Sequence, residues 1–263
     1  MAKNRYMRNL RRWFIYLSDK RFSTISGTLV YFMLMSFAPF LFWLTLVFGK
    51  IDLEGIISHE LFAAVLPLIR YMQEAAQSAT ASASVVLVFT SLWSSTNFFY
   101  HLRRSGEIIY ESDVKKSGLR LRLSSLLIVF LAFVLIAIAA ALPFFSYNIL
   151  NIIMPRLLSE TISLVFTTMI AIFVAYILNV FACPYRLDFN IAITGSFLTV
   201  ALWLLCAAGF TIYLQFANLQ KLYGAIAAII VFLLWSYLMV NSLVIGMIYN
   251  GRMLTDRRIK KLF

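Results

Sequence analysis

Six stretches of the chain contain no Asp, Glu, Lys or Arg: Phe22–Gly49, Ala75–Leu102, Leu123–Pro155, Thr161–Tyr185, Phe189–Gln220 and Leu222–Gly251. Each exceeds the roughly 20 residues that a helix needs to cross a hydrocarbon core about 30 Å thick, and the surplus leaves room for tilt. None shows the polar–apolar alternation of a membrane barrel strand. Lipid also offers no partner to open backbone groups, so the pattern predicts α-helices. Their centres fall near Met35, Phe89, Val134, Ile172, Leu204 and Leu233. The expected fold is an all-α membrane protein with six transmembrane helices, forming a single domain over residues 1–263.

The charged residues between these stretches set an orientation. Lys3, Arg5, Arg8, Arg11, Arg12, Lys20 and Arg21 precede the first span, and Arg103, Arg104, Lys115, Lys116, Arg120 and Arg122 join the second to the third. Arg186 follows the fourth, and Arg252, Arg257, Arg258, Lys260 and Lys261 fill the tail. With six spans all of these share one side, while only Lys50, Arg70, Arg156 and Lys221 lie opposite. Basic residues concentrate on the cytoplasmic side, so both termini are predicted to be cytoplasmic.

Two flanking segments carry their own pattern. In residues 1–21, Tyr6, Leu10, Trp13, Phe14 and Leu17 recur at helical spacing opposite the arginines. That predicts an amphipathic helix lying in the headgroup layer, held by apolar burial and anionic lipid. The outer connection from Lys50 to Thr80 carries Leu53, Ile56, Ile57, Leu61, Phe62, Val65, Leu66 and Ile69, interrupted by Pro67. It reads as one or two short interfacial helices, or alternatively as a lid over a cavity. Residues 252–263 form a basic cytoplasmic tail.

Composition agrees with lipid as the main solvent: 62% hydrophobic residues, 13% charged and a mean hydropathy of +0.87. The 16% aromatic content suits lipid-facing surfaces and interfacial belts. A net charge of +12 would suggest nucleic acid in a soluble protein. Here the positive-inside bias accounts for it, and the partners expected are anionic lipid headgroups, with no nucleic acid. Cys183 and Cys206 lie in or beside apolar runs without metal-ligand spacing and read as free thiols. The basic start leads into a stretch too long for a cleavable signal, so it reads as a retained span.

Candidate chemistry is sparse. His59 and His101 are the only histidines, and no zinc, redox, phosphate-loop, dinucleotide or nucleophile-elbow motif occurs. The carboxylates are scattered over connections, so no catalytic residue, metal or cofactor is expected. No span centre carries an ionisable residue, which weighs against a simple proton-coupled carrier.

Polar residues gather instead at a few places. Thr24, Ser26, Thr28 and Ser36 precede Pro39 in the first span, and Thr90, Ser91, Ser94, Ser95, Thr96 and Asn97 precede Arg103 and Arg104 in the second. Asn241, Ser242 and Asn250 lie in the sixth. These groups either bond neighbouring helices or line a cytoplasm-facing cavity with a cationic rim, suited to an anionic headgroup or solute. A mid-span proline frees carbonyls that need compensation, which adds to the second reading. Its lining or gating candidates are Ser26, Ser36, Pro39, Ser94, Asn97 and Arg103. Small residues mark packing faces: Gly195 and Thr199 in the fifth span, and Gly224, Ala227 and Ala228 at the start of the sixth. Such faces serve contacts within one subunit or between two, so a homo-oligomer is compatible with them.

The chain resembles the YihY/BrkB family of bacterial inner-membrane proteins, once labelled ribonuclease BN. Ser26-Gly27-Thr28-Leu29-Val30-Tyr31-Phe32 through Ser36-Phe37-Ala38-Pro39 is similar to the family's small-residue stretch, aromatic pair and Ser-x-x-Pro. Leu92-Trp93-Ser94 with Arg103 and Tyr110 is a second match. A third follows family order through Pro184, Gly195, Trp203, Phe210, Tyr213, Tyr223-Gly224, Trp235 and Gly246. The resemblance implies a six-helix fold in a bacterial plasma membrane. One departure stands out: where the family commonly has Gly-Ala-Glu and then Asn, this chain reads Gly246-Met247-Ile248-Tyr249-Asn250. A mechanism relying on that carboxylate is not available here. The expected function is a transporter-like role, moving or binding a lipid or small amphipathic solute. The alternative is a non-catalytic envelope scaffold, and a nuclease role is not expected.

Overall fold

A computed structural model describes residues 11, 13, 15–48, 89, 90, 93–112, 118–145, 155–216 and 226–260. Among them every regular element is helical, and no strand occurs. A short helical segment over residues 15–19 leads into α1 (Phe22–Phe48), followed by α2 (Asn97–Ile109) and α3 (Gly118–Phe145). The remaining elements are α4 (Arg156–Ala182), α5 (Phe189–Phe216) and α6 (Ile226–Lys260). The outer connection 50–80 lies outside the described residues.

Helix boundaries differ instructively from the charge-free stretches. α3 begins before Leu123, α2 continues past Leu102, and α6 runs through the basic tail to Lys260. Arg, Lys and Glu are good helix formers, so charge ends an apolar run without ending the helix. Pro184 does end one. A residue preceding proline is disfavoured in the α region, and Cys183 is accordingly extended at φ −72°, ψ 127°. Two non-glycine residues adopt left-handed backbone, Arg21 (φ 51°) between the first segment and α1, and Glu111 (φ 49°) after α2. Lys20 ties these two turns together, bonding the Glu111 carboxylate and approaching the Ile109 carbonyl.

α6 is the central element, packing against α5 and α1 and touching α4 and α2. Its Val240, Leu243, Val244, Met247 and Ile248 join Leu29 of α1, Leu102 of α2 and Ala182 of α4 in the core. Ile248 is fully buried there, an apolar side chain in an apolar core. Small residues bring α5 and α6 together: a Cβ on Gly246 would collide with Thr199 Oγ1 and lie 2.8 Å from the Gly195 carbonyl oxygen. Trp203 Nε1 adds a 2.9 Å bond to the Met239 carbonyl. Outward faces stay apolar, with Leu164, Phe166, Met169 and Phe173 of α4 and Leu119, Leu123 and Leu127 of α3 exposed. Among the described residues three helices are long and apolar enough to cross a membrane: Thr161–Ala182, Phe189–Tyr213 and Ile230–Arg257.

The N-terminal segment turns part of its apolar stripe to protein. Leu17 is buried, Trp13 packs edge-on against Tyr249 of α6 at 5.8 Å, and Arg252 lies over the Trp13 and Tyr16 rings. The sequence pattern had placed that stripe in the headgroup layer. An amphipathic period states only that a face is buried, and here α6 supplies some of the covering surface.

Candidate functional site

Polar side chains converge in two places, both involving α2. The first is the end of α4. A helix ends with carbonyls that lack intrahelical partners and carry partial negative charge. Arg103, only 4% exposed, donates through Nη1 to the Phe181 carbonyl at 2.8 Å and to the Cys183 carbonyl. Gly106, one turn further along α2, allows that approach, because a Cβ there would collide with the Ala182 carbonyl oxygen. Burial pulls the Arg103 guanidinium below its ordinary pKa, and the Glu107 carboxylate opposes that pull. Glu107 itself pairs with Arg104 at 2.7 Å.

Around this cap sits a buried polar layer. Asn250 of α6 donates to Asn179 Oδ1 of α4 at 3.1 Å, and Asn179 donates to the Ala175 carbonyl at 2.8 Å. Gly195 of α5 makes room for the Asn250 amide, which a Cβ would strike. Tyr110 reaches the same layer beside Cys183 and Asn250, and burial pushes its hydroxyl well above the ordinary value. Arg103 Nε, Glu107 Oε1, Tyr110 Oη and Asn250 Oδ1 are buried without a well-formed hydrogen bond among the described residues.

The second place is the bend before α2. The helical turn at residues 93–95 breaks at Thr96, whose amide and hydroxyl both bond the Trp93 carbonyl, at 3.3 and 2.7 Å. A hydroxyl satisfying a nearby carbonyl competes with the helix ladder and permits such a break. α2 restarts at Asn97, and Ser36 of α1 accepts from the free Phe98 amide at 3.1 Å. Arg122 of α3 reaches into the bend. Its Nη1 donates to Thr96 Oγ1 at 3.0 Å and Asn97 Oδ1 at 2.5 Å, with the Trp93 carbonyl at 3.4 Å. The guanidinium lies 4.4 Å from the Tyr100 ring centre and 4.7 Å from that of Trp93, within cation–π range. Among the described residues no carboxylate pairs with it.

The cavity candidates fall as follows. Ser26 is buried and donates to Asn241 Oδ1 of α6 at 2.9 Å. Ser36 and Asn97 meet at the bend, and half-buried Ser94 lies in the turn leading into it. Arg103 is separate, at the α4 cap. Pro39 lies on α1 and Ala228 on α6, but their side chains are outside the described set, as is Gly224 altogether. Gly195 and Thr199 lie on the α5 face that meets Gly246 and Asn250. Arg122, Gly106 and Asn179 were not singled out from the sequence. Gly106 had a signal, a lone glycine inside an amphipathic helix, and Asn179 a weaker one, an amide in an apolar run. Arg122 had none beyond its charge.

Among the described residues no three His, Cys, Asp or Glu side chains group as metal ligands do. Long apolar helices with outward apolar faces define a helical membrane protein. The chain belongs to the BrkB family, whose model, described as virulence factor BrkB, matches residues 14–261. A protein of Bacillus subtilis (strain 168) named ribonuclease-like protein YfkH is 26% identical over 241 residues, covering 84% of this chain and 86% of its own length. No solved structure matches the chain.

Proposed function

We propose that this protein crosses the bacterial plasma membrane six times, with both termini cytoplasmic, and binds or moves a lipid or small amphipathic solute. At 27 and 28 residues, α1 and α3 are each about 40 Å long and as apolar as the other long helices, which supports further spans. The observation that carries the functional reading is the bend before α2. Buried Ser95 and Thr96, with Asn97 and Arg122, form a polar and cationic patch. Exposed Trp93 borders it, and Leu119, one turn before Arg122 on α3, is also exposed. A polar, cationic patch bordered by exposed apolar side chains suits a molecule with a charged head and a greasy body. The reading is non-enzymatic, and the relative's name describes that relative alone.

Lipids and solutes copurifying with the extracted chain are expected to be enriched in one species over the bulk membrane, and that species should move across liposomes carrying the protein. Replacing Ser94 with Ala and Asn97 with Leu should impair this movement while the protein stays folded. Unchanged movement would sink the reading. RNA cleavage by the purified chain with magnesium, abolished by chelation, would replace it with a nuclease.

A scaffold role is favoured by one specific observation. Ser26, Ser36 and Arg103 each make a hydrogen bond to a neighbouring helix, as interhelical ties do. A lipid profile identical to the bulk membrane would move that reading ahead.

A further inference from the structure

We infer that Arg122 is the headgroup anchor of this protein, a site for the phosphodiester of an anionic lipid clamped beside Trp93 and Tyr100. The inference rests on reading the bend before α2 as the place where an amphipathic molecule binds, and it names the class of that molecule.

Three features point to an oxyanion. Among the described residues the guanidinium makes its hydrogen bonds through Nη1, to Thr96, Asn97 and the Trp93 carbonyl. Its Nη2 and Nε therefore have no acceptor among the described residues. That edge is the planar fork that pairs with two oxygens of one phosphate group. Next, the charge is uncompensated. Arg104, which also lies over the Tyr100 ring, is neutralised by Glu107, whereas Arg122 has no carboxylate among the described residues, and His101 lies within electrostatic reach of both arginines. Finally, the fork is held still. The two rings and the two side-chain acceptors fix its plane before any ligand arrives, and an ordered donor loses less entropy on binding.

The surroundings select lipid over a soluble oxyanion. Leu119, one turn before Arg122 on the same helix, and Phe89 and Trp93 before the bend are all exposed. Acyl chains would cover this surface, and free phosphate would leave it bare. Indole and phenol rings are also the side chains that settle at headgroup level.

The full chain, purified in detergent, is titrated with phosphatidylglycerol, with diacylglycerol of the same chains, and with inorganic phosphate, and bound species are counted by native mass spectrometry. Wild type should prefer phosphatidylglycerol to diacylglycerol by about tenfold or more, as a bidentate charge-assisted pair implies. Arg122→Gln should lose that preference. Arg122→Lys, which keeps the charge and guards against misfolding, should lose about threefold because a point charge replaces the fork. A Lys variant indistinguishable from wild type, or a folded Gln variant that keeps the preference, overturns the assignment. Displacement of phosphatidylglycerol by millimolar inorganic phosphate overturns the lipid source. Binding is read here without any movement of lipid, so failed transport with intact binding sinks only the transport reading.

Discussion

Gly106→Ala tests the junction of α2 with α4 most directly. Besides striking the Ala182 carbonyl oxygen, the new Cβ would lie 2.7 Å from the Ala182 carbonyl carbon, whereas ordinary contact begins at 3.4 Å. Clearing the carbon alone requires a retreat of 0.7 Å (3.4 less 2.7), and clearing the oxygen requires more. Moved that far, the 2.8 Å bond from Arg103 to the Phe181 carbonyl reaches 3.5 Å, the edge of hydrogen bonding. Because the obstacle is backbone, no side-chain rotation relieves it. Overpacking costs about 1–3 kcal/mol, and weakening a charged hydrogen bond inside the protein costs a further 1.5–3 kcal/mol or so. The expected loss is about 2.5–6 kcal/mol. At roughly 2–4 °C per kcal/mol, its lower end corresponds to a fall of about 5–10 °C in the apparent melting temperature in detergent. Gly27→Ala is the internal control: nothing lies within 4 Å of its Cβ, so it should gain helix propensity and melt at or above wild type. If Gly106→Ala melts within a degree or two of wild type, the close contact between α2 and α4 is wrong.

Other expectations follow from the same geometry. Asn250→Ala should destabilise by about 1–3 kcal/mol because it strands the Asn179 amide oxygen in the buried layer; Asn179→Ala with Asn250→Ala should cost less than the two singles together, read as a double-mutant cycle. Arg21→Gly should stabilise by about 1 kcal/mol in chemical denaturation, since glycine adopts φ 51° without a steric penalty. Lys20 holds the Glu111 carboxyl below its ordinary range, so the pair stabilises at neutral pH and its contribution disappears as pH falls through that lowered value. Glu111 is 79% exposed, however, so Glu111→Gln should shift the neutral-pH midpoint by no more than about 0.5 kcal/mol. Reporter fusions after residue 263 and within 50–80 should report opposite sides of the membrane, and the same side for both would refute six spans.

Much of the architecture was legible in residue order alone. Lipid penalises every charge and every unpaired backbone group, so apolar stretches such as Phe189–Gln220 announce helices without any knowledge of their neighbours. α1 and α5 begin and nearly end where those stretches do. The fourth stretch ran on to Tyr185, whereas α4 ends at Ala182, before Pro184. What each polar side chain does was not legible. Ser26 and Ser36 have similar sequence surroundings, yet one bonds Asn241 across the bundle and the other the first turn of α2. Arg103 looked like the rim of a cavity and instead caps α4, a helix that begins 53 residues later in the chain. Arg122 looked like one basic residue among several in a loop and instead sits between Trp93 and Tyr100. Apolar burial depends on composition along a segment, which sequence records directly. A hydrogen bond or a cation–π contact depends on distances of a few ångströms between residues far apart in the chain, and only the packing of the helices decides those.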